Sequence, residues 1–161
     1  MSLSQSQLTT LKAAILADPV LVTFVNSGQY APIAASMNAN ASPSWTVWKS
    51  SVPMVEIGKK INGAELGGLT TANHTRLQTI IQISGGFINP SLADQRAFFD
   101  DVFSGAGGTN TRANLLVLWK RLATRAEKLF STGTGSDAVP ATLVFEGSLS
   151  SVDIEEALVK G

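Results

Sequence analysis

Turn-forming residues cut this chain into short helical pieces, and that spacing restricts the fold more than anything else in the sequence. Asp18-Pro19, Gly28, the run Asn38–Ser44, Asn62-Gly63, Gly67-Gly68, Gly85-Gly86, Ser104–Asn110 and Thr132–Ser136 all interrupt it. Glycine relieves the left-handed turns that end helices, and the residue before proline avoids the helical region. Between the breaks, apolar residues recur at helical spacing. Leu8, Leu11 and Ile15 mark a helix over 4–17, with Ser4 or Ser6 as its cap. Leu21, Phe24 and Val25 mark a second over 20–26, and Ile33, Ala34 and Met37 a third over 30–38. Pro53 opens a short helix to Lys60. Thr70 or Thr71 caps one to Ser84, with Leu77, Ile80 and Ile81 as its buried stripe. Asn89-Pro90 starts an aromatic-rich helix carrying Phe98, Phe99 and Phe103.

Two features stand out from this background. Trp45 and Trp48 lie three apart in a proline-bounded segment and suit one helical face, as core or interface anchors. The stretch from Lys120 to Leu158 concentrates charge in a chain that is only 15% charged, against roughly 25% in ordinary soluble proteins. A helix from Thr109 or Thr111 to Phe130 is predicted, with Arg121, Arg125 and Lys128 on one face at i, i+4 and i+7. A flexible loop Thr132–Ser136 follows, then a β-rich segment Ala141–Glu146 that includes Phe145. Ser150 or Ser151 caps a last helix with Asp153, Glu155 and Glu156 in its first turns. Three readings of the cationic face stay open. It is a solvated face, or a stripe for an acidic partner or phosphate backbone, or the counterpart of the acidic last helix within the chain or across a subunit boundary. The strand has no obvious partner: Val20–Val25, Val52–Ile57 and a neighbouring subunit's edge all qualify.

The expectation is a mainly α fold: a compact multi-helix domain with a short C-terminal β segment and an extended loop or arm. Residues 1–131 form the helical domain in this reading, and 132–161 supply the loop, strand and terminal helix, packed on the same domain or on a neighbour.

Net charge is zero, which speaks against a dedicated nucleic-acid binder. With no cysteine there is no disulfide framework or thiolate chemistry. The N-terminus lacks a basic, then apolar, leader pattern, so no signal peptide is expected, and no window approaches the ~18 apolar residues of a membrane span. His74 is the single histidine and makes no metal site by itself. Neither Gly105–Gly108 nor Gly133–Gly135 matches a phosphate-loop pattern. The neighbouring carboxylates Asp100-Asp101 and Glu155-Glu156 diverge by about 100° on a helix and form no dyad. No catalytic residue, metal or cofactor is therefore expected. The residues singled out as an interface are Trp45, Trp48, Arg121, Arg125, Lys128, Phe145, Asp153, Glu155 and Glu156.

Three stretches carry a resemblance: Leu11–Pro19, Ser42–Pro53, and above all Arg121–Gly135 with Pro140–Gly147. Together they resemble a family of small tailed-bacteriophage proteins encoded near virion structural genes. The resemblance spans most of the chain outside about 58–110. It implies a virion component assembled in the host cytoplasm, without enzymatic activity. In size and class the chain is similar to head–tail adaptors, helical subunits that form rings beneath a portal and reach a neighbour with an extended segment. On that analogy the Gly133–Val144 segment is the reaching arm. The implied partners are copies of itself and portal or tail proteins, with possible contact to packaged DNA. The alternative is a phage nucleic-acid-binding protein that uses the basic helix.

Overall fold

Side-chain caps decide where most of the helices begin. Ser4 and Gln7 form a reciprocal capping box at the first helix, α1 (Gln5–Leu16). Asp18 accepts from the backbone N–H groups of Val20 and Leu21 and so starts α2 (Pro19–Asn26), with Pro19 at its first position. The chain turns by 102° between these two helices. Next come α3 (Tyr30–Asn38), β1 (Thr46–Trp48), β2 (Val52–Pro53), α4 (Met54–Lys60), α5 (Gly63–Gly67) and α6 (Thr71–Ile83). These are followed by β3 (Phe87–Ile88), α7 (Ala93–Val102), a 3-10 turn (Ala106–Gly108), α8 (Thr109–Leu118) and β4 (Lys120–Leu122). The chain ends with α9 (Arg125–Leu129), β5 (Ser131–Thr132), β6 (Thr142–Leu143) and α10 (Ser151–Lys160). This computed structural model describes residues 3–161. The fold is mainly α, 58% helical. Among the described residues no single helix is long and apolar enough to cross a membrane.

The chain divides into two compact units, one comprising residues 1–47 and 122–161 and the other residues 48–121. The boundary expected near 131 therefore falls inside the first unit, between α9 and β6. The second unit is an insertion between two halves of the first.

In the first unit α1, α3, α9 and α10 surround one core. Leu11, Ile15, Ile33, Ala126, Ile154 and Ala157 are all fully buried there. Phe130 and Phe145 meet edge-on within it, ring centroids 5.5 Å apart. β5 and β6 pair antiparallel, with Ser131 opposite Leu143. The strand expected over Ala141–Glu146 thus has a partner in its own unit, ten residues upstream. Neither Val20–Val25, which is helical, nor a neighbouring subunit is needed.

In the second unit β2 pairs with β3, Val52 opposite Ile88. Its core gathers Ile57, Phe99, Val102, Phe103, Leu115 and Trp119. Gly108 precedes α8 and offers no side-chain cap. Glu65 of α5 supplies it instead. One carboxylate oxygen accepts from the Asn110 backbone N–H at 2.9 Å and the other from Thr111 N–H at 2.7 Å. Those bonds hold the Glu65 carboxyl below its ordinary pKa, although desolvation by burial acts strongly in the opposite sense. Arg112 closes the end of α7 by donating to the carbonyls of Phe103 and Gly105. Gly108 is required here, because a Cβ at that position would run into the Phe103 carbonyl.

The expected long helix to Phe130 does not form. α8 stops at Leu118 with Trp119 as C-cap, the chain extends through β4, and α9 restarts at Arg125. Thr124 and Glu127 make a full capping box at that restart. Asn89 likewise caps no helix. Its side chain accepts from Ser91, and α7 begins at Ala93.

Leu115 is fully buried and Val117, two residues on, is 75% exposed. Leu115→Ala is expected to cost about 2–5 kcal/mol through the cavity it leaves, and Val117→Ala within about ±0.5 kcal/mol. Urea denaturation of the two variants checks the difference.

Candidate interaction site

The cations that the sequence set on one face are dispersed by the break at Leu118. Arg121 lies in extended β4, while Arg125 and Lys128 occupy the single short helix α9. An i, i+4, i+7 stripe does not exist, and the nucleic-acid reading loses its geometric basis. Arg125 faces inward across its own unit. Its Nη2 donates to Asp18 Oδ2 at 2.8 Å and its Nη1 to Ser36 Oγ at 2.6 Å. The same Asp18 carboxylate caps α2 through its other oxygen, so the Arg125–Asp18 pair, with Ser36, joins α9, α2 and α3. The hydrogen bond from Arg125 holds the Asp18 carboxyl below its ordinary value, helped by the amides of Val20 and Leu21 and opposed by burial.

Within its own chain the acidic helix does not pair with Arg125, whose partner is Asp18. Asp153 closes the capping box with Ser150, and Glu156 Oε1 meets Lys160 Nζ at 2.8 Å. Glu155 is exposed on the outer face of α10. Phe145 is a core residue, 6% exposed, and is unavailable as an interface anchor.

Trp45 and Trp48 do not share a helical face. They flank and occupy a strand, where positions three apart point to opposite sides, and they belong to different units. Trp45 Nε1–H donates to Ser131 Oγ at 2.9 Å, and the Lys128 ammonium lies 4.8 Å from its ring centre. Gly135 packs against the same ring with φ +63°, where any Cβ would collide with the indole. Thr46 N–H donates to Gly135 O at 2.8 Å, and Ala141 N–H to Thr46 O at 2.9 Å. The Gly133–Val144 segment is thus strapped to its own unit and is not a free arm. Trp48, in the second unit, carries the Arg96 guanidinium 4.1 Å over its ring.

Two of the expected residues do converge. Arg125 and Lys128 line an open groove of about 420 Å³ in the first unit, with Ala14, Met37, Ala41 and Leu129. Both cations are already engaged, Arg125 by Asp18 and Lys128 by Trp45. The groove is a half-apolar depression with a satisfied positive rim.

The surfaces that stay unsatisfied are apolar, and the sequence reading did not find them. In the second unit only Leu77 of α6 is buried, while Ile81 and Ile83 are 46% and 71% exposed. Between α6 and α7 lie two adjoining depressions that share Ile80 and Phe98, about 200 and 320 Å³. Ile83 lines the larger one, and Phe87, just beyond the end of α6, is 57% exposed. Arg76 lies 5.4 Å over the Phe98 ring at this wall. In the first unit α10 exposes Val152 (66%) and Val159 (74%), two turns apart and on the side away from buried Ile154 and Ala157. The available signal was the breadth of the apolar arc. Residues 77, 80, 81 and 83 span more of a helix than one neighbour covers.

Among the described residues no group of three His, Cys, Asp or Glu side chains is placed to hold a metal ion. No protein-family model, curated protein or solved structure matches the chain.

Asp18→Asn keeps an α2 cap but removes the charged partner of Arg125. The native Asp18 pKa lies below its ordinary 3.8. Its contribution is therefore complete above that value and is lost as pH falls through the lowered native pKa. Asp18→Asn is expected to be less stable than the parent at pH 7, with the gap narrowing below about pH 4. Thermal unfolding of both proteins across pH 2.5–7 measures it, and a gap independent of pH would contradict the assignment.

Proposed function

We propose that this chain is a structural subunit of a tailed-phage particle, of the neck or tail, which assembles head-to-tail with copies of itself. The observation that carries this reading is the pair of unlike apolar surfaces: the α6–α7 groove on one unit and the Val152–Val159 face of α10 on the other. Exposed single apolar residues are ordinary, but grouped ones lining a groove mark interaction sites. Two different surfaces that meet each other give a heterologous contact, which closes into a ring or propagates as a filament.

The occupant of the groove in this reading is α10 of a second copy. Valines seven residues apart on one helical face are the spacing by which a helix seats in an apolar groove. Glu155 stands between those valines, and Arg76, only loosely paired with Asp101 at 3.8 Å, stands at the groove wall. Opposite charges at a rim fix orientation more than affinity. A chain of zero net charge also offers little self-repulsion to resist close packing of copies. The virion setting, and portal or tail proteins as further partners, come from the resemblance carried by Arg121–Gly135 and Pro140–Gly147.

Ile83→Asp spoils the groove and Val159→Asp spoils the helix face, each at a position already exposed to solvent. Sedimentation velocity should find the parent chain as a closed oligomer and each variant alone as a monomer. An equimolar mixture should give dimers and nothing larger, because one intact surface of each kind remains. A parent chain that stays monomeric, or variants that fail to pair on mixing, would sink the assembly reading. Absence of the chain from purified particles by mass spectrometry would sink the virion setting.

A further inference from the structure

A pocket between α7 and α8, within the second unit, belongs to neither apolar surface. It encloses about 290 Å³ and is lined by Trp48, Arg96, Asp100, Arg112, Leu116 and Trp119. Helical spacing builds it. Arg96 and Asp100 lie one turn apart on α7, and Arg112, Leu116 and Trp119 follow at i, i+4 and i+7 from α8 into its cap. The volume is far beyond the ~30 Å³ share of one water and near the lower end of small-molecule sites, roughly 300–1,000 Å³.

Its chemistry is donor-rich. Arg96 donates from Nη1 to the Pro90 carbonyl, and Arg112 uses Nη1 for the Phe103 and Gly105 carbonyls. A guanidinium carries five N–H groups, so both keep donors beyond those bonds. Neither forms an ion pair among the described residues. Asp100 is the one carboxylate in the lining, which leaves a single net positive charge. Trp119 is 2% exposed, and its indole Nε1–H is the one buried side-chain donor without a partner among the described residues. Buried donors are satisfied in nearly all native structures, and an orphan calls for an explanation.

We propose that this pocket receives the carboxylate of a small organic monoanion, held by Arg96 and Arg112 beside the Trp119 ring. One net positive charge matches one carboxylate, while a phosphate dianion would leave a negative excess beside Asp100. Bidentate pairing with guanidinium suits the planar carboxylate. Leu116 and Trp48 supply apolar walls for the body that carries it.

The test is a ¹⁵N–¹H correlation spectrum of the full chain, which shows one indole signal for each of its three tryptophans. Removing each tryptophan in turn assigns them. Benzoate, acetate and inorganic phosphate are titrated separately, with chloride holding ionic strength constant. The expected result is a saturable shift of the Trp119 indole signal with benzoate and acetate, and weaker binding of phosphate. Arg112→Gln should weaken benzoate binding at least tenfold. Because Arg112 also ties the end of α7, Asp100→Asn provides the independent variant: Asp100 is exposed and caps nothing. It should strengthen phosphate binding several-fold by removing the opposing charge. A Trp119 signal that does not move, that moves equally with chloride, or that responds to phosphate at lower concentration than to either carboxylate would overturn the proposal. So would phosphate affinity unchanged in Asp100→Asn.

Discussion

The first unit exists because backbone hydrogen bonds join residues 39–46 to residues 123–141 across the inserted second unit. Ala41 N–H donates to Ala123 O at 3.0 Å, Arg125 N–H to Ala39 O at 2.9 Å and Ala123 N–H to Trp45 O at 2.8 Å. Thr46 then bridges to both Gly135 and Ala141. This seam brings the N-terminal helices α1–α3 to the C-terminal part of the chain, where Leu11, Ile15 and Ile33 share a core with Ala126, Ile154 and Ala157. Closing an insertion of about seventy residues is affordable because loop entropy grows only with the logarithm of length, about 4 kcal/mol by the (3/2)RT ln n estimate. The insertion also has a core of its own, so its folding offsets part of the ordering it requires.

That seam redirects the functional reading. A chain with a free glycine loop and an unpaired strand would assemble by lending the strand to a neighbour. Here Trp45, Lys128 and Gly135 strap the loop, and β5 takes the strand. The charges are spent in the same way: Arg125 on Asp18 and Ser36, Asp153 on its own N-terminal cap, Glu156 on Lys160. The exposed pair Glu156–Lys160 adds no more than about 1 kcal/mol. Once polar groups find partners within the unit, apolar side chains left outside become the informative surface. Two groups of them, on α10 and along the α6–α7 groove, carry the reading, and neither includes the basic residues that first attracted notice.

Helices whose signals are local were legible in the sequence. Ser4 and Thr70 mark starts, and Asp18-Pro19 a stop, that the structure keeps, and Leu8, Leu11, Ile15, Ile33 and Met37 are buried as their spacing predicts. The failure at Leu118–Thr124 came from carrying one helix from Thr109 or Thr111 straight through to Phe130. Thr124-x-x-Glu127 is a capping-box sequence, and it announced the restart of a helix at Arg125. Trp45 and Trp48 were misplaced because a three-residue spacing fits a helix and also fits opposite sides of a strand. The division into two units was not legible. It rests on pairings such as Ala41 with Ala123 that local periodicity does not encode. Of the nine interface residues, Arg125 and Lys128 share a groove, while Phe145 belongs to the core.

The second unit shows why an unsatisfied donor can persist. α8 is fixed at its start by Glu65, and the end of α7 is fixed by Arg112, so the two helices have little freedom to close on each other. Phe99 meets Trp119 edge-on with ring centroids 5.7 Å apart and sets the plane of the indole within the core. Turning that ring to find an acceptor would break this packing. Leaving the N–H unpaired costs about 1–3 kcal/mol, comparable with what the repacking would forfeit. The pocket lined by Trp119 is therefore pre-organised by its supports rather than shaped by its own lining. Rigidity of this kind lowers the ordering cost of binding.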